Sequence, residues 1–301
     1  MILVPLLLLT SLGILWGSGY VIARFAVTHG VPAFGYAFWQ SLGPAILLIL
    51  FSLKNNSKKI VFSALPWRFY LVCGLIGIAI PNSTMYFVAK HIPAGMLAII
   101  VNTVPIFIYP LALLFKQESF RWYRMLAVVL GFFGILLLVL RYAAIPDSVL
   151  GLWPVLALIS PLMFALCSIY IDKQKKVSLS ALESAAGMMI MSSILLMPMV
   201  LATHSFYPLW PPFSVASWLV ILEILLSSLG YVIFFRLIQI AGSVYYGMVG
   251  GIVGITGLFW GWLIFGEHPS GTAWLAIVLI VISILWLGIK NRSASVARIS
   301  E

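Results

Sequence analysis

PAGMLAIIVNTVPIFIYPLALLFKQE, residues 93–118, is apolar along nearly its whole length and closes on a carboxylate. GSVYYGMVGGIVGITGLFWGWLIFGE, residues 242–267, has the same form. The step between Glu118 and Glu267 is 149 positions, and at that step other landmarks coincide. Arg24 falls on Lys173, each at the end of the first apolar run of its half. Asn102 falls on Gly251 and Pro105 on Gly254. Each quoted stretch is long enough to cross a membrane, because a helix needs about 20 apolar residues to span roughly 30 Å of hydrocarbon.

Working outward, the chain holds ten such runs, at 2–27, 33–53, 66–89, 93–115, 121–141, 149–171, 179–203, 213–238, 242–265 and 271–289. They are too long for barrel strands, so helices are expected. The predicted fold is an all-α integral membrane protein with ten transmembrane helices in two five-helix repeats. These cover residues 1–145 and 146–290, and 291–301 forms a short cytoplasmic tail. Five is odd, so the two repeats must be inverted relative to each other. Inverted repeats with a site at their interface mark secondary transporters.

Composition excludes the soluble alternatives. Of 301 residues, 63% are hydrophobic and 8% charged, against about half and about a quarter in a soluble domain. An ordinary soluble enzyme, a disordered chain and a nucleic-acid-binding domain all fall away. The net charge of +10 is then a matter of topology. Lys54, Lys58, Lys59, Arg68, Lys116, Arg121, Arg124, Lys173, Lys175, Lys176, Arg236, Lys290, Arg292 and Arg298 fall on one side of the predicted bundle. Only Arg24, Lys90 and Arg141 fall on the other. The positive-inside rule puts both termini in the cytoplasm, and a multi-pass protein of the bacterial inner membrane is expected. The opening Met-Ile-Leu-Val-Pro-Leu-Leu lacks a basic region and a small-residue cleavage site. It reads as the first span and not as a removed signal peptide.

No catalytic, metal or cofactor chemistry is expected. Cys73 and Cys167 lie in apolar runs, as buried core cysteines do. His29, His91, His204 and His268 are scattered near span ends, and an embedded enzyme would need a cluster at one depth. A phosphate-binding Gly-x-x-x-x-Gly-Lys-Ser/Thr loop is lacking, so nucleotide energy is not used by this chain. The expected partners are the bilayer and a small-molecule substrate. Nucleic acid is not one, and a monomer is the default.

The informative residues are polar ones inside the membrane, which usually face a cavity. Glu223 lies near mid-depth of the eighth span, with Ser227 and Tyr231 at i+4 and i+8 on the same face. It is the candidate for proton coupling or for holding a substrate amine. Arg24 and Lys173 are possible partners for a substrate carboxylate, with snorkelling to the interface as the bland alternative. Glu183 reads as interfacial, paired with Lys173 or Lys176. Asn102 and Pro105 interrupt the fourth span, with Tyr109 further along that face, and Pro81-Asn82 with Tyr86 does so in the third. The candidate cavity residues are Trp16, Tyr20, Trp39, Gln40, Asn82, Tyr86, Asn102, Ser168, Ser227, Tyr231 and Tyr245. The cavity is placed among spans 1, 3 and 4 and their mates 6, 8 and 9. Pro105, Gly247, Gly250, Gly251 and Gly254 are candidates for close packing or gating.

Leu12-Gly13-Ile14-Leu15-Trp16-Gly17-Ser18-Gly19-Tyr20 with Arg24 resembles the first-span signature of the drug/metabolite transporter superfamily, in its ten-helix EamA branch. Pro93-Ala94-Gly95-Met96-Leu97-Ala98 running to Phe115-Lys116-Gln117-Glu118 is similar to it too, as is Phe265-Gly266-Glu267-His268. The resemblance covers the whole chain. It implies alternating access between two five-helix halves and a small metabolite as cargo, an amino acid or relative, moved outward. The alternative is a multidrug or organic-cation proton antiporter using Glu223.

Overall fold

The computed structural model describes residues 3–54, 67–143, 152–174 and 179–289. The expected tail at 291–301, the link between the halves at 144–151, and Lys58, Lys59, Lys175 and Lys176 lie outside the described residues. Every regular element among the described residues is helical. In chain order they are α1 (Leu3–Thr28), α2 (Ala33–Lys54), α3 (Trp67–Val88), α4 (Ala94–Leu114), α5 (Trp122–Ala143), α6 (Leu152–Lys173), α7 (Ala181–Ala202), α8 (Val215–Ala241), α9 (Ser243–Phe265) and α10 (Gly271–Ile289). Eight are long and apolar enough to cross a membrane, while α5 and α10 carry shorter apolar stretches, Trp122–Leu137 and Gly271–Leu287. The expectation of ten full spans is met for those eight.

Four helices are interrupted, and three interruptions have a proline as their cause. A proline lacks an N–H and its ring clashes with the carbonyl four residues earlier. Pro105 therefore ends the first segment of α4 at Val101, and the helix resumes at Val104. Pro161 does the same to α6, which stops at Ala157 and restarts at Ile159. Pro81 stands two residues past the end of a π-helical segment, Leu75–Ala79, inside α3. The break in α9 at Met248 has no proline behind it. Its setting is glycine-rich, and it lies across from the break in α4.

Glycine decides how α9 meets α4. A Cβ on Gly250 would lie 2.3 Å from the Asn102 carbonyl oxygen, and one on Gly257 would lie 2.3 Å from the Ala98 Cβ. Gly254 meets Ile99, Gly261 meets Gly95, and Gly247 meets Pro105 and Ile108. These partners run in reverse order, so α4 and α9 are antiparallel. Gly251 faces the other way, toward Ile284 of α10. α5 and α10 also run antiparallel, with Gly131 against Ser283 and Gly134 against Ile280.

The helix contacts follow one rule. α1 packs on α8 and α9, and α6 on α3 and α4. α2 packs on α7 and α8, α3 on α7, and α5 on α10. Exchanging each helix for the one five places along maps this set onto itself. The outer surface is apolar, with Phe132, Phe133, Leu136, Leu225, Leu229, Leu275 and Trp286 among its exposed side chains. Such a surface suits lipid and not water. Cys73 and Cys167 are free and buried. Glu183 does not reach a lysine among the described residues. It closes a capping box with Ser180, accepting the Ser180 N–H at 2.7 Å while its own N–H donates to Ser180 Oγ at 3.1 Å.

Candidate functional site

The interrupted helices surround a cavity with an empty volume of about 540 Å³. Its lining comes from six helices. α1 supplies Trp16, Gly19 and Tyr20, and α3 supplies Asn82, Met85 and Tyr86. α4 adds Asn102 and Val104, α6 Phe164, and α9 Tyr246. α8 contributes Glu223, Ser227 and Tyr231, three residues one turn apart on a single face. These are the six helices named from the sequence.

One hydrogen-bonded pair joins two walls of the cavity. Asn102 Nδ2 donates to the Tyr20 hydroxyl at 2.9 Å and to the Ala98 carbonyl at 2.7 Å. Asn102 can do this because the Pro105 break takes it out of regular helical geometry, at φ −93° and ψ 16°. Asn82 of α3 and Tyr231 of α8 both line the cavity. They stand 149 positions apart, the same step that relates Glu118 to Glu267.

Glu223 is the one carboxylate among the described lining residues, and it is 5% exposed. Ser227 Oγ lies 3.1 Å from Glu223 Oε1 and 2.6 Å from Gln40 Oε1. Glu223 Oε2, Gln40 Nε2 and the Tyr36 hydroxyl are buried with no hydrogen-bond partner. α1 comes close enough to cover the carboxyl only because residue 19 is glycine, since a Cβ there would lie 2.7 Å from Glu223 Oε1. Trp16 packs against Tyr231 at 5.5 Å and Tyr246 at 6.2 Å between ring centroids.

Several residues expected at the cavity lie elsewhere. Trp39 Nε1 donates to the Tyr207 carbonyl at 2.7 Å, outside the lining. Ser168 donates to the Ala165 carbonyl of its own helix at 2.9 Å. Gln40 stands one layer behind the wall, reaching it through Ser227. Tyr245 is outside the lining and its neighbour Tyr246 is inside. Tyr109 is remote too, its hydroxyl accepting the Arg121 N–H at 2.7 Å. Gly19, Met85, Val104, Phe164 and Tyr246 are lining residues that sequence reasoning missed. Gly19 alone had a signal, its place between Trp16 and Tyr20.

Arg24 and Lys173 do not face the cavity. Arg24 pairs with Glu267 and lies over the Phe265 ring at 4.8 Å. Glu267 also accepts the N–H groups of Ala94 at 2.7 Å and Gly95 at 2.9 Å, tying the start of α4 to the end of α9. The opposite end of the bundle is built differently. Lys173 lies over Phe115 at 4.9 Å, and Glu118 takes Arg124 at 3.0 Å. At the start of α9, the Ser243 hydroxyl donates to Asp172 at 3.0 Å. Packing between α4 and α9 is denser at the Arg24 end than at the Glu118 end.

A largely aromatic cavity with a buried carboxylate, at the crossing of broken membrane helices, defines a class, the polytopic helical transporters. The chain belongs to the EamA-like transporter family, whose profile matches residues 3–140 and again 151–289. It is 27% identical over 289 residues to the uncharacterized inner membrane transporter YedA of Escherichia coli (strain K12), covering 92% of this chain and 88% of that one. It is 25% identical over 233 residues to the uncharacterized transporter YvbV of Bacillus subtilis (strain 168), covering 77% and 74%. One crystal structure of a protein matches with a TM-score of 0.65 at 16% identity, over 96% of this chain and 98% of the other, a likeness of fold. The protein is thus a multi-pass membrane transporter with lipid and a small solute as its partners.

Proposed function

We propose that the protein is a secondary carrier that moves a small organic metabolite, an amino acid or a compound related to one, out of the cell by alternating access. The observation that carries this reading is the cavity itself, walled by helices of both halves at the level where α3, α4, α6 and α9 lose regular geometry. Broken helices at a repeat interface are where carriers hold their cargo. The reading takes residues 1–145 and 146–290 as inverted repeats. Support comes from the double match of the family profile, the antiparallel run of α4 against α9, and the mate-for-mate exchange of helix contacts.

The two ends of the bundle fit a carrier caught in one of its two states. Glu267 joins α1, α4 and α9 at the Arg24 end. Its mate Glu118 makes none of the corresponding contacts among the described residues and pairs instead with Arg124. By the lysine and arginine bias, the closed Arg24 end faces outward, the Glu118 end faces the cytoplasm, and both termini are cytoplasmic. Glu223 is the coupling candidate, since no nucleotide-binding loop is available to drive export.

The test is counterflow. Liposomes holding the purified protein and loaded with an unlabelled solute should accumulate labelled solute transiently and saturably. Saturation without counterflow acceleration, or flux that never saturates, would replace the carrier reading with a channel.

A further inference from the structure

The charge of the cavity is one-sided. Among the described residues, Glu223 lines it and no lysine, arginine or histidine does. Arg24 and Lys173, the cations that could have met a substrate carboxylate, are engaged at opposite ends of the bundle, with Glu267 and over Phe115. A neutral amide carries no charge to replace them. Asn102 Nδ2 has two protons, and both are given, to Tyr20 and Ala98. Asn82 lines the same cavity. Glu223 Oε2 is a buried acceptor without a partner among the described residues. The aromatic side chains of Trp16, Tyr20, Tyr86 and Tyr231 line the same cavity.

We propose that the cargo presents one ammonium group on an apolar or aromatic body and no carboxylate. The ammonium seats on Glu223 Oε2, and the ring faces attract the same positive charge. This rests on the carrier reading above and narrows its substrate class to amines over the parent amino acids. A zwitterion would bring its carboxylate against tyrosine and tryptophan rings with no cation to meet it. An unpaired charge in such a setting costs more than the ammonium gains.

The polar layer behind Glu223 suits a group that must exist both with and without a bound cation. Ser227 has one hydroxyl proton and two acceptors in reach, Gln40 Oε1 and Glu223 Oε1. With Glu223 as the neutral acid, the chain of donation runs from Glu223 to Ser227 to Gln40. With Glu223 as the carboxylate facing an ammonium, the Gln40 amide turned over donates to Ser227, which donates to Glu223. Turning the amide over also gives its Nε2, now without a partner, an acceptor. Either charge state of Glu223 is thus served by the same two side chains.

A matched trio of probes tests the assignment: tyramine, tyrosine and 4-ethylphenol share one aromatic body and differ in amine and carboxylate. Calorimetric titration of the purified full-length protein should show tyramine binding, and tyrosine and 4-ethylphenol each weaker by about a hundredfold or more. Glu223→Gln should lose tyramine by a similar factor while eluting as a single species, and Glu223→Asp should restore part of it. The assignment is overturned if tyramine does not bind the wild-type protein, if tyrosine binds as tightly, or if Glu223→Gln leaves tyramine binding unchanged. Counterflow of tyrosine without counterflow of tyramine would sink the amine assignment and leave the carrier standing. Absence of counterflow for every amine, amino acid and nucleoside tried would strike the carrier reading itself.

Discussion

Two adjacent serines in α8 show how much rests on direction. Ser227 points to the cavity and touches Gln40 and Glu223. Ser228 donates to the Ile224 carbonyl of its own helix at 2.6 Å. Removing the first hydroxyl strands two buried oxygens, and removing the second strands only a carbonyl already bonded within the helix. Ser227→Ala is therefore expected to lower stability by about 1–3 kcal/mol and Ser228→Ala by less than about 1 kcal/mol. Thermal unfolding of the detergent-solubilised protein reads the difference, and equal losses would mean that Ser227 has no special place. Glu223 admits a sharper division. If it carried only a proton, Glu223→Gln would keep solute exchange and lose gradient-driven flux. Because the ammonium is assigned to the same carboxylate, exchange of amines should be lost as well.

At the scale of the helix, position along the chain says little and the facing neighbour says nearly everything. Gly250 and Gly251 are consecutive. A methyl group on Gly250 would run into the Asn102 carbonyl at 2.3 Å, and that carbonyl is backbone and cannot swing away. The same methyl on Gly251 would make an ordinary contact with Ile284 at 3.4 Å. Gly250→Ala should cost about 1–3 kcal/mol as overpacking does, with loss of transport. Gly251→Ala should be neutral, or slightly stabilising through its better helix propensity. A melting comparison of the two variants decides this, and similar behaviour would contradict the close α4–α9 crossing. The proline breaks belong to this scale as well. Pro105 and Pro161 each end a helix, while Pro44, Pro110 and Pro198 sit inside helices that continue.

Over the whole molecule, the two ends of the bundle should oppose each other. Glu267 holds one end closed through Arg24 and the first amides of α4. If opening one end closes the other, Glu267→Gln will speed hydrogen exchange at Ala94–Ala98 and slow it at Ser243–Gly247. A purely local loss would change only the first segment, so unchanged exchange at Ser243–Gly247 would refute the coupling. Glu118→Gln should favour the present closure of the Arg24 end and leave Ala94–Ala98 protected.

The membrane class, eight long apolar spans and the six helices that line the cavity were legible in the sequence. They depend on local quantities: run length, proline and glycine, and the 3.6-residue period that set Glu223, Ser227 and Tyr231 on one face. Tertiary structure alone decided which polar residues meet. Trp39 and Ser168 turned to backbone carbonyls, Tyr246 took the place expected for Tyr245, and Arg24 went to Glu267. Each of those outcomes depends on which helix lies opposite and how closely it approaches. A helix's own sequence determines which face is polar, but the partner that satisfies that face comes from far along the chain. The lack of a positive charge among the described lining residues is likewise a property of the assembled walls, with Arg24 and Lys173 placed at the two ends instead.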